Sequence, residues 1–176
     1  MGFLGKKKIK EIEAAGEFVM AIMRGVQEYW PSVAQELNQL FQSNEAISED
    51  QHAGFEFSLA VISSQIQALP NLLNKQQADR IREYILQCIS SPELGSYPRD
   101  AIEDYQAAWD ASLKEGEAPF YGISAVLFDK LGCEDLVEIG GNRFKDPLLL
   151  TALSEKVVTF GGPWWKNMLQ EYEIVP

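Results

Sequence analysis

A chain of 176 residues that is 46% apolar and 23% charged is long enough to bury one core and too apolar to stay disordered. Lys6, Lys7, Lys8 and Lys10 fall in the first ten residues, which hold no acid, so the rest carries 11 basic against 26 acidic residues, a net −15 within an overall −11. Such a body repels phosphate backbones, which excludes nucleic acid as an expected partner and favours a cationic one.

Residues 1–8 read as a flexible basic tail ahead of a single all-helical domain over 9–176. The tail's lysines oppose the dipole of a following helix, so they are candidate contacts to an anionic surface such as a membrane face. Ile9, Ile12, Gly16, Val19, Met23, Val26 and Trp30 then recur at steps of three and four, with Phe18, Ile22 and Tyr29 broadening the stripe, which predicts a long amphipathic helix. Gly16 and Gly25 weaken a helix interior and suggest close approach by another helix or a bend. Pro31 is expected to break or kink the run, with a second piece reaching about Gln42.

Ser48 and Gln51 form a capping-box pattern before Phe55, Leu59, Ile62, Ile66 and Leu69, and Pro70 stops that run. Asn74 and Gln77 open another helix over Ala78, Ile81, Ile85 and Cys88, which places Cys88 in the core. Tyr97-Pro98 introduces a segment with Ile102, Tyr105, Trp109 and Leu113 on one face, ending near Gly116. Pro119 starts a further helix that Gly132 closes. The stretch 133–145 reads as the longest irregular connection, apart from a short extended piece around Leu136 to Ile139. Asp146-Pro147 begins a helix carrying Leu149, Leu153, Val157 and Phe160 inward, Gly161 and Gly162 close it, and a last helix starts at Pro163. The pattern predicts an all-α bundle of seven or eight helices.

Cys88 and Cys133 have no zinc-like or CxxC spacing, so a reducing cytoplasm is the expected compartment and no disulfide framework is implied. No apolar stretch approaches the ~20 residues of a membrane span. His52 is the one histidine. Glu49, His52 and Glu56 share a helical face, but a di-iron centre needs two Glu-x-x-His units, and acids at a helix start are explained by the dipole. The acidic groups Asp100, Glu103, Asp104 and Glu134, Asp135, Glu138 have the same explanation. Gly140-Gly141-Asn142 lacks the spacing of a phosphate loop. No catalytic residue, metal or cofactor is expected.

Phe160 to Lys166 combines two glycines, a proline and two tryptophans. Glycines allow positive φ, proline suits a first helical turn, and indoles offer large amphipathic surfaces. Trp164, Trp165 and Lys166 are therefore the candidate ligand or partner contacts, weighed against a tight helix joint with Trp165 buried beside Met168 and Leu169. The leading functional expectation is a non-enzymatic helical module that binds a protein partner, favourably a basic one, through an acidic or aromatic surface. The alternative is a small-molecule binder or enzyme with a pocket at 160–166. Pairing of two copies through the first helix is a third reading.

Overall fold

The structure is a computed structural model and describes residues 6–41, 47–133, 136–139 and 142–176. Strand β1 (Lys7–Lys10) leads into the 31-residue helix α1 (Glu11–Phe41), followed by α2 (Gln51–Ala68), α3 (Lys75–Ile89), α4 (Tyr97–Glu115) and α5 (Pro119–Lys130). A hairpin of β2 (Leu136–Ile139) and β3 (Asn142–Lys145) precedes α6 (Pro147–Gly161), α7 (Trp164–Glu171) and β4 (Tyr172–Val175). The fold is all-α: among the described residues there are six helices of 12 residues or more and a seventh of eight.

Helix α2 is the axis of the bundle. Its residues Phe57, Leu59, Ala60, Val61 and Ile62 are wholly buried, and Glu56, Ser58, Ser63 and Ser64 are buried with them, so α2 is enclosed on all sides as a central helix is. Helices α1, α4, α5 and α6 pack around it. Asp50 starts it by accepting a hydrogen bond from the Ala53 amide at 2.8 Å, two residues later than the Ser48 capping box predicts; the Ser48 hydroxyl instead accepts from the Asp50 amide at 3.2 Å. Asn74, Gly116, Pro119, Asp146 and Pro147 mark helix ends as their chemistry predicts.

Several expectations are corrected. Pro31 lies inside α1 without ending it. The missing proline N–H leaves the Gln27 carbonyl without its intrahelical donor, and burial of Trp30, Val33, Ala34 and Leu37 holds the helix together past that point. Cys88 is exposed, because Ile81, Ile85, Leu86 and Ile89 take the inward face of α3. Leu113 is 54% exposed, and Ser112 faces inward in its place. Pro163 caps α7 from outside and Trp164 is its first residue. The extended piece expected at Leu136 to Ile139 is strand β2, and what the sequence did not indicate is its antiparallel partner, with Leu136 paired to Lys145 and Ile139 to Asn142.

The basic segment is also structured where it is described. Strand β1 runs parallel to β4 with Lys7 opposite Tyr172, Lys8 opposite Glu173 and buried Ile9 opposite Ile174. Just past it, Glu11 is 1% exposed and takes a bidentate contact from Arg80, with Nε to Oε2 at 2.8 Å and a terminal nitrogen to Oε1 at 2.7 Å. The Arg80 hydrogen bonds hold the Glu11 carboxyl below its ordinary value of 4.5 despite burial. A carboxyl lowered by folding stabilises above its unfolded pKa, and that contribution is lost as pH falls through the folded value. The urea midpoint is therefore expected to drop as pH is taken below about 4.5, and Glu11→Gln removes this component of the drop. A drop of equal size in both proteins would show that Glu11 is not its source.

Candidate functional site

The Gly-Gly-Pro-Trp-Trp segment is a helix joint. Gly162 takes φ 49° after α6, a left-handed conformation that suits glycine. A Cβ on Gly161 would collide with the Gln65 side chain of α2, with Cδ at 3.0 Å and Nε2 nearer still. Trp165 is 1% exposed and packs on Phe18 with centroids 5.0 Å apart. Trp164 is half-buried, edge-on to Phe18 at 5.1 Å and to Trp165 at 4.8 Å. Both indoles thus clamp one residue of α1. Lys166 is exposed.

The four lysines separate by role. Lys6 Nζ donates to the Leu169 carbonyl at 2.6 Å, where the last turn of α7 has carbonyls to satisfy. Lys7, Lys8 and Lys10 stay exposed on β1. Deleting residues 1–8 would remove half of that strand, so an anionic-surface contact is properly probed by charge reversal at Lys7, Lys8 and Lys10.

The acidic and histidine groupings come apart. His52 is exposed, Glu49 Oε2 accepts from Gln35 Nε2 at 3.2 Å, and Glu56 is fully buried on the side of α2 that meets α4. There Glu56 Oε1 accepts the Tyr97 hydroxyl, whose proton is held more tightly by burial first and by that hydrogen bond second. Asp104 pairs with Lys130 at 3.3 Å, and Asp100 accepts from Ser96 at 2.8 Å. Among the described residues no group of His, Cys, Asp or Glu is placed to hold a metal ion, while Glu134, Asp135 and Gly140-Gly141 lie outside the described residues. No described helix is long and apolar enough to cross a membrane.

A half-open groove of about 450 Å³ lies elsewhere, between α1 and the start of α2. Met23, Val26, Trp30, Pro31 and Phe55 supply its apolar surface, and Gln27, Glu49, Asp50 and Gln51 its polar rim. Trp30 builds it: the indole is 2% exposed, stacks on Phe57 at 5.0 Å, and donates from Nε1 to the Ser48 carbonyl at 3.1 Å. Asn38 fixes the same approach to α2, donating to the Ile47 carbonyl at 3.0 Å and accepting from its amide at 2.7 Å. Gly54 lets α2 come close, since a Cβ there would lie 3.2 Å from the Trp30 ring.

Sequence reading missed this groove because Met23, Val26 and Trp30 are indistinguishable from core in a helical stripe. The available signal was Pro31 inside an unbroken apolar run. Family models, curated proteins and solved structures give no match to this chain.

Proposed function

We propose that the protein is a helical interaction module that binds a basic protein partner through the α1/α2 groove. The observation that carries this reading is an apolar groove rimmed by Glu49 and Asp50 on a chain of net charge −11. Apolar surface supplies the contact area, and the acids select and steer a cationic partner. Both acids are anchored, Glu49 by Gln35 and Asp50 by the Ala53 amide, so their charge is presented from fixed positions. Backbone hydrogen bonding from Ala53 and a further bond from Ser48 hold the Asp50 carboxyl below its ordinary value of 3.8.

Affinity capture from a lysate of the source cells tests this. At 0.1 M salt the wild-type chain is expected to retain a basic partner that Met23→Lys does not retain. At 1 M salt, where the screening length falls from about 10 to about 3 Å, retention is expected to fall sharply. A partner held equally by Met23→Lys and indifferent to salt would sink the reading.

A further inference from the structure

We propose that the groove is one end of a longer track along α1, and that its occupant is a basic amphipathic helix of a protein partner laid along that track. This rests on the groove reading above and extends it in length and in the form of the partner.

At about 100° per residue, Ile12, Gly16, Met20, Met23, Gln27 and Trp30 fall within a sector of α1 about 80° wide. The core takes a different sector, through Ala14, Ala15, Phe18, Val19 and Ile22. At Trp30 the track is covered by Gly54 of α2. Toward the start of α1 it is bare: Ile12 is 50% exposed, Met20 is 52% exposed, and a Cβ on Gly16 would meet no atom within 4 Å. Glycine weakens a helix interior relative to alanine, and packing within the chain gives Gly16 nothing in return. A small residue flanked by Ile12 and Met20 is what a second helix needs in order to approach closely. From Ile12 to Gln27, the last exposed position of the track, the rise is about 22 Å, the length of a helix of about 15 residues, which a helix of about 18 residues spans.

Charge decides between occupants. Exposed Glu13, Glu17 and Glu28 lie beside the track and Glu49 and Asp50 stand at its far rim, whereas Arg24 is the one basic residue of α1 and the exposed Lys7, Lys8 and Lys10 lie on β1, before the start of the track. A second copy of the chain would bring the same acids against these. A helix with lysine or arginine beside an apolar stripe at steps of three and four matches both the spacing and the sign.

The probe is an 18-residue amphipathic peptide of leucine and lysine, with a twin carrying glutamate for lysine, titrated into the purified full chain. The basic peptide is expected to bind, the acidic twin not to, and Met23→Lys, Met20→Lys and Gly16→Gln each to weaken binding at least tenfold. Thermal melts of the variants check that each is folded, and Gly16→Gln is expected to melt no lower than wild type because its site is open. If Met23→Lys weakens binding while Met20→Lys and Gly16→Gln do not, the track is wrong and the groove reading stands. If the basic peptide does not bind, or binds Met23→Lys as it binds wild type, both fall. Equal binding of the acidic twin overturns the charge assignment. Self-association in sedimentation that Gly16→Gln abolishes makes a second copy the occupant and overturns the proposal.

Discussion

Gly122→Ala is expected to lower the stability of this protein by about 3 kcal/mol, whereas Gly25→Ala is expected to raise it by up to about 1 kcal/mol. The substitution is the same and the sign is set by what surrounds it. A methyl group gains helix propensity at both positions, roughly 1 kcal/mol. At Gly25 a Cβ meets nothing within 4 Å, so the gain is kept. At Gly122 of α5 it would lie 2.7 Å from the Ala108 carbonyl carbon, nearer still to the carbonyl oxygen, and 2.6 Å from Ser112 Oγ. Ser112 can rotate, but the α4 backbone cannot move away without opening the α4–α5 contact. Since 1 kcal/mol corresponds to about 2–4 °C in a domain of this size, Gly122→Ala is expected to melt about 6–12 °C lower. Urea midpoints of the two variants measure both effects. Equal stability for wild type and Gly122→Ala would mean that α4 and α5 are not packed this closely.

That contact also shows where sequence reading reaches its limit. Helix existence was legible, because capping residues and breaks act locally: Asn74, Gly116, Pro119 and Asp146 each satisfy or terminate backbone groups within one turn. The role of a glycine was not. Gly16, Gly25 and Gly122 look alike in the chain, yet only Gly122 is required by a neighbouring helix in the described structure. Pro31 does not break α1 for a related reason, since tertiary burial on both sides outweighs the lost hydrogen bond.

The pairing of Lys7–Lys10 with Tyr172–Val175 is not legible in the sequence, because a strand of four residues has too little alternation to detect and its partner lies more than 160 residues away. The groove was hidden by excess. A stripe from Ile9 to Trp30 with Phe18, Ile22 and Tyr29 beside it is wider than one core-facing sector, and only packing shows that Ile12, Met20 and Tyr29 are left outside. An over-wide apolar stripe is therefore a readable sign of a second surface, though the sequence does not say which edge is the core.

Trp165→Ala is expected to cost about 4 kcal/mol, and Trp164→Ala clearly less, near 1–2 kcal/mol. Trp165 is 1% exposed, so truncation leaves a large cavity against Phe18 and the start of α7, whereas the half-buried Trp164 opens a gap that water can enter. Against a typical total of about 5–15 kcal/mol, the first loss removes a large part of the protein's stability. Trp165→Phe should retain most of it, because the indole Nε1 is buried without a hydrogen-bond partner among the described residues and its removal relieves an unsatisfied donor. Phe18→Ala and Trp165→Ala should couple, by about 1 kcal/mol or more in a double-mutant cycle, since each ring is the other's wall. Denaturant midpoints of the four proteins give that cycle directly. A near-neutral Trp165→Ala would overturn the helix-joint reading and return the segment to consideration as a binding surface. If instead the stability order holds and Trp164→Ala leaves peptide binding at the α1 track unchanged, both indoles act through the fold, by holding Phe18 and with it the inward face of the helix whose other face carries the track.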